Sequence, residues 1–290
     1  MSKKTSIEMG LAMTDSRQST VKVAERKLAF MLGGALAIAV LGFLQGCSSA
    51  PSISPGTDIA TDSDETPARK RAKIRLELAA GYYSNGQTRV ALDEIKQSIA
   101  ADPGIYEAHN LRGLIYMQLN DFGLADESFK RALQLSPQAA AVQHNYGWML
   151  CQQGRMPEAY ANFSAAINNP LYQERAKSWM ALGVCQKTAG LRDEALVSLT
   201  RALELEPGNP VAGYNLALLF VLRGDLSRAQ SQIRRVNNSE FANSETLWLG
   251  VKIERRLGNR DSAAQLGTQL AKRFPVSKEA SLLERGAFDE

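Results

Sequence analysis

Apolar residues return every three or four positions through most of this chain, in blocks of about a dozen. Leu76, Ala79 and Tyr82 share one helical face, and Leu92, Ile95 and Ile99 share the next. The pattern continues with Leu111 and Leu114, then Phe122, Phe129 and Leu133. Between paired blocks stands a residue that tolerates a left-handed backbone: Gly86, Asn120, Gly154, Gly190, Gly224 and Gly258. Five residues after each comes alanine: Ala91, Ala125, Ala159, Ala195, Ala229 and Ala263. Seven residues before each comes a mostly small residue: Ala79, Gly113, Gly147, Gly183, Ala217 and Val251. Successive turns are 34, 34, 36, 34 and 34 residues apart. Pro103, Pro137, Pro207 and Pro275 close most of the units. The pattern predicts paired antiparallel helices with a tight turn inside each pair.

A 34-residue period with these small, turn and proline marks is the tetratricopeptide (TPR) pattern. One helical hairpin cannot bury its own apolar faces, so stacked neighbours complete the core. The expected fold is all-α: a right-handed TPR superhelix of six repeats, about 72–105, 106–139, 140–175, 176–209, 210–243 and 244–277. The extra two residues of the third repeat fall in or near Asn168-Asn169-Pro170-Leu171-Tyr172. The stretch from Ser277 to Glu290 is expected to be a short capping helix with a polar outer face. First helices of such repeats line a concave face, a surface for holding another chain. The whole domain spans 68–290.

The amino-terminal part has a different pattern. Lys22, Arg26 and Lys27 precede a nearly continuous apolar run from Leu28 to Leu44, followed by Gln45-Gly46-Cys47-Ser48. A basic flank, an apolar stretch and a small residue before a cleavage point read as an export signal over 1–46. The competing reading is an uncleaved anchor, since the run is just long enough for a thin or tilted span. Cys47 at the end of the run favours the signal and resembles the lipobox of bacterial lipoproteins, in which that cysteine is acylated. The lipid on Cys47 is then the one covalent group expected, with no other cofactor. Ser48, rather than Asp, follows it, so the resemblance to such lipoproteins implies sorting to the outer membrane, facing the periplasm. Residues 47–67 are rich in Ser, Pro, Thr and Asp and read as a flexible tether, with a reach of roughly 25 Å. The basic stretch Arg69-Lys70-Arg71-Ala72-Lys73 either touches anionic head groups or peptidoglycan or is a solvated helix start.

Charge narrows the partners. The formal net charge is +4, but six of the 34 Lys/Arg and three of the 30 Asp/Glu lie in 1–46, which leaves 28 against 27. The chain after residue 46 is close to neutral and lacks the strong basic excess expected of a nucleic-acid binder. No Gly-rich phosphate loop or His-Glu-x-x-His pattern occurs. His109 and His144 occupy first helices of adjacent repeats and read as polar groove residues rather than a metal pair. The carboxylates read as solvated faces. Neither an enzyme nor a small-molecule substrate is expected. Tyr82, Tyr116, Phe129, Phe163, Trp179 and Phe220 fall at packing positions. Tyr83, Asn110, Met117, His144 and Trp148 are the candidate partner-binding residues of the concave face. Cys151 and Cys185 hold nearly equivalent places in neighbouring first helices. They form a disulfide if their Cα atoms fall within about 7 Å, and otherwise are two small core residues.

Several stretches carry a closer resemblance: Asn145-Tyr146-Gly147-Trp148-Met149-Leu150-Cys151-Gln152-Gln153-Gly154-Arg155, Glu107-Ala108-His109-Asn110, Pro170-Leu171-Tyr172, Gly183-Val184-Cys185 and Tyr214-Asn215-Leu216-Ala217. They resemble the type IV pilus biogenesis lipoproteins of the PilF/PilW family. The resemblance covers Cys47 and nearly all of 68–275. It implies a pilotin: an outer-membrane lipoprotein that helps the pilus secretin localise and assemble its ring, supporting pilus biogenesis and twitching motility. A solenoid of this kind is expected to be a monomer. The alternative is a TPR lipoprotein adaptor for peptidoglycan hydrolases or synthases.

Overall fold

At the end of the fifth helix, Gly154 takes φ +74° and turns the chain back on itself. Arg155 N then donates to Leu150 O at 2.9 Å and Gly154 N to Cys151 O at 3.0 Å, which satisfies carbonyls that the helix end leaves open. The same closure recurs in every repeat. Asn120, at φ 60°, is the one described residue other than glycine with positive φ, and asparagine tolerates that region better than other side chains.

The computed structural model describes residues 64–289. Thirteen helices and no strand occur among them: α1 (Pro67–Ser84), α2 (Thr88–Ala101), α3 (Tyr106–Gln118), α4 (Phe122–Leu135), α5 (Ala140–Gln152), α6 (Met156–Asn168), α7 (Arg175–Thr188), α8 (Arg192–Leu205), α9 (Pro210–Leu222), α10 (Leu226–Asn237), α11 (Ser244–Arg256), α12 (Arg260–Arg273) and α13 (Lys278–Glu284). They form six consecutive hairpins and a final short helix. Within each hairpin the two helices pack on one another and on the following hairpin, and the last hairpin packs on α13. No helix among the described residues is long and apolar enough to cross a membrane. The export signal, Cys47 and most of the tether, residues 1–63, lie outside the described residues.

The small residues set the spacing within each hairpin. The alanines five residues past the turns, Ala91, Ala125, Ala159, Ala195 and Ala229, are fully buried. Phe129 and Phe163, also fully buried, fill the space beside Gly113 and Gly147. A Cβ on Gly113 would lie 2.7 Å from the Phe129 ring, so the aromatic fits only because that side chain is missing. Burial clusters span adjacent hairpins rather than closing within one, as stacking requires. Trp179 bridges the central cluster and the next one toward the C-terminus.

Several particulars differ from the sequence reading. Helix α1 begins at Pro67, inside the stretch assigned to the tether. Thr66 caps it by accepting from Arg69 N at 3.1 Å, and a proline in the first turn loses no hydrogen bond. The basic stretch that follows is partly engaged: Arg69 pairs with Asp102 at 3.1 Å, Lys73 pairs with Glu65, and Ala72 is buried. Tyr82, Tyr116 and Trp179 are only half-buried, whereas Phe220 is buried with the two central phenylalanines. The additional residues of repeat 3 form the longer connection 169–174 between α6 and α7.

Two carboxylates contradict the solvated-face reading. Asp126 accepts from Tyr146 Oη and Arg155, each at 2.8 Å, and pairs with Lys130 at 2.6 Å. Glu254 is 1 % exposed, and it receives bonds from Gln230 (2.7 Å), Arg234 (2.7–2.9 Å) and Asn259 (2.7 Å). Burial pushes the Glu254 carboxyl up, but those donors outweigh it and hold the group below the usual carboxylate range.

Candidate functional site

Polar contacts join successive first helices of the central repeats. Asn145 of α5 donates to Asn110 Oδ1 of α3 at 3.1 Å. His144 Nδ1 of α5 and Ser178 Oγ of α7 are hydrogen-bonded at 2.9 Å. Lys187 of α7 donates to Asn215 Oδ1 of α9 at 2.5 Å. Each contact spans one repeat boundary, so these polar residues fix the relative placement of the helices that carry the candidate surface. Cys151 of α5 and Cys185 of α7 are joined by a disulfide, with Cα atoms 5.9 Å apart. That bond crosses the boundary that His144 also crosses and covalently ties repeat 3 to repeat 4.

The candidate surface residues divide by environment. Tyr83, Asn110, Met117, His144 and Trp148 are all half-buried. Met117 and Trp148 edge the same apolar cluster, built from α4 to α7, whereas Tyr83 edges the cluster of repeats 1 and 2. Burial raises the Tyr83 phenol, which stays neutral at physiological pH. A half-buried Trp or Met beside a packed cluster presents a rigid apolar edge with little side-chain entropy left to lose on binding. Lys187, in the same row, is held below its ordinary value by burial.

The histidines part company. His109 is 4 % exposed, and its Nε2–H donates to Pro103 O at 3.0 Å, so it is a buried hinge between loop and helix rather than a groove residue. The sequence reading placed it on the concave face because spacing alone does not show which way a helix is rolled. His144 meets Phe163 edge-on, with centroids 5.9 Å apart. Among the described residues no group of three or more His, Cys, Asp and Glu could hold a metal ion. Burial lowers both imidazoles, more than offsetting the Pro103 bond at His109 and the Glu174 charge at His144. The folded protein therefore resists protonation that the unfolded chain accepts near pH 6.5. Stability from these rings is complete above pH 6.5 and is lost as pH falls below it. Melting temperature is expected to drop between pH 7 and pH 5, and His144→Gln is expected to flatten part of that slope; a slope unchanged in the variant would remove His144 as a contributor.

The sequence reading missed the surface at the far end. Trp248 and Arg255 hold the fifth and twelfth positions of repeat 6, as Asn110 and Met117 do in repeat 2. The register alone would have found them. Phe288, which stacks on Trp248 with centroids 5.4 Å apart, lies beyond the repeats, where no period points to it.

Tetratricopeptide repeat family models match residues 76–140, 113–178 and 176–209. The type IV pilus assembly protein PilF of Pseudomonas aeruginosa is 27 % identical over 81 % of this chain and 91 % of its own length. The solved structure of Pseudomonas aeruginosa PilF superposes with a TM-score of 0.69 at 25 % identity, covering 76 % of this chain and all of that one. The crystal structure of PilW, described as a widely conserved type IV pilus biogenesis factor, gives a TM-score of 0.67 at 31 % identity, covering 73 % of this chain and 97 % of PilW.

Proposed function

Because the chain belongs to the PilF/PilW-like family of type IV pilus TPR proteins, we propose that it is a non-catalytic pilotin, which captures a pilus secretin subunit and promotes assembly of the secretin ring. The observation that carries the reading is the 31 % identity to PilW across 97 % of that protein, a match to the whole repeat array rather than to one hairpin. The capture surface is the concave row in repeats 1–3, with Met117 and Trp148 as apolar anchors and Tyr83, Asn110 and His144 around them. A few such anchors dominate binding energy while their neighbours exclude water.

Cys47 is the proposed lipid attachment point, holding the protein on the periplasmic face of the outer membrane. One acyl chain gives marginal binding, whereas the three of a mature lipoprotein anchor it stably. The tether lets the repeats reach a secretin subunit at some distance from the bilayer. The protein is proposed to act as a monomer, with no cofactor besides that lipid.

The deciding experiment follows the secretin in cells with and without this gene, by membrane fractionation and a denaturing gel that preserves the ring. Rings are expected to vanish or to remain in the inner membrane on deletion. Normal outer-membrane rings in the deletion strain would end the pilotin reading. In the same assay Trp148→Glu is expected to reduce secretin co-purification at least tenfold with the helical spectrum intact, and Cys47→Ala is expected to release the protein from the membrane fraction.

A further inference from the structure

After α13 the chain does not run off into solvent. Gly286, at φ +68°, turns it, with Ala287 N donating to Leu282 O at 2.9 Å and Gly286 N to Leu283 O at 3.1 Å. The turn lays Phe288 on α11. Its ring stacks on Trp248 at an interplanar angle of 28°, and the Arg255 guanidinium lies 3.5 Å from the ring centroid. Trp248 and Arg255 are the repeat-6 counterparts of the concave positions in repeats 1–3. The chain's own tail therefore rests on positions whose counterparts in repeats 1 and 2 include the half-buried Tyr83, Asn110 and Met117.

Beside it lies a cavity of about 650 Å³, lined by Leu218 and Val221 of α9, Lys252 and Arg256 of α11, and Phe288 and Asp289 of the tail. Its lining sets apolar side chains beside three cationic ones, Lys252, Arg255 and Arg256. Arg255 and Arg256 are exposed, and neither makes an ion pair among the described residues. The acid that precedes them in sequence, Glu254, is buried and engaged with Arg234, so it does not neutralise them. The Trp248 indole on which Phe288 stacks is 5 % exposed, and its Nε1–H has no acceptor among the described residues. The tail matches this surface in kind, since an aromatic is followed by two acids, Asp289 and Glu290.

We propose that the face of repeats 5 and 6 is a docking site for an extended acidic segment of a partner protein bearing an aromatic side chain, and that Phe288 and Asp289 occupy it until that segment arrives. The aromatic stacks where Phe288 now sits, and its carboxylates pair with Arg255 and Arg256 in charge-assisted bonds. The tail is a weak occupant: Phe288 is only half-buried and Asp289 is exposed. A partner that binds only the vacated site sees its affinity reduced by the fraction of molecules in which the tail is docked. This site concerns repeats 5 and 6 alone and stands apart from the secretin reading, which rests on repeats 1–3.

The test uses a fluorescein-labelled Gly-Ala-Phe-Asp-Glu-Glu peptide and the full-length protein in detergent, read by fluorescence anisotropy at low salt. Phe288→Ala is expected to tighten binding at least threefold by vacating the site, and a chain ending at Gly286 is expected to do the same. Arg255→Gln combined with Arg256→Gln is expected to weaken binding at least tenfold, as is replacing the peptide's Phe by Ala. Circular dichroism keeps folding separate from binding in each variant. Absence of binding to the truncated chain, or binding that neither arginine substitution changes, would overturn the proposal. So would unchanged or weaker binding to both tail variants, which would make Phe288 a permanent part of the core.

Discussion

Phe129→Ala is expected to destabilise the array by about 3–5 kcal/mol. The ring is fully buried and sits against Gly113 on α3, with Tyr146 of the next repeat 5.7 Å away between centroids. Its removal leaves a cavity that two rigid helices cannot close, because their approach is already set by the small residues at 113 and 125. The lesion is not confined to repeat 2, since a repeat is stable only through its neighbours. Urea unfolding followed by circular dichroism measures the cost. The converse substitution, Gly113→Val, places a side chain where the ring lies and is expected to cost about 1–3 kcal/mol by overpacking. Pairing it with Phe129→Leu is expected to recover part of that cost, because the two sites share one volume. Strict additivity of the two changes would show that the glycine serves some purpose other than admitting the ring.

Glu254→Ala is expected to cost about 3 kcal/mol, close to the value for breaking a buried, hydrogen-bonded charge. Its carboxylate gathers donors from α10 and from Asn259, which precedes α12, so one side chain binds three segments of the last two repeats. Arg234 is half-exposed and is rehydrated when its partner goes, which keeps the loss below the upper range for a fully buried pair. The same carboxylate gives a pH signature. Its folded pKa is depressed, so its contribution is complete above about pH 4.5 and is lost as pH falls through the lower folded value. Glu254→Gln is therefore expected to narrow the stability gap between pH 7 and pH 3.5. An equal gap in the wild type and the variant would show that this carboxylate does not carry the acid sensitivity.

Gly113 and Phe129 stand out in the sequence, because a small residue and an aromatic recur at set places in a 34-residue period, and periodicity reports local geometry directly. Glu254 does not stand out. Along the chain it resembles any acid near the end of a helix, and only the stacking of α10 on α11 brings Gln230 and Arg234 to it. The histidines show the same limit: both fall in first helices, yet His109 turns inward to Pro103 while His144 stays beside Ser178.

By itself the sequence determined the all-helical repeat architecture, the turn residues, the small-residue positions and the place of the longer connection in repeat 3, because each depends on backbone conformation and spacing within one hairpin. The pairing of Cys151 with Cys185 was left open by the chain and decided by tertiary structure, since it depends on how closely two first helices approach. Tertiary structure also decided the burial of Glu254 and the seat of Phe288 on Trp248. These features depend on the roll and separation of helices contributed by different repeats, and on where a tail outside the period comes to rest. A one-dimensional period carries no coordinate for any of them.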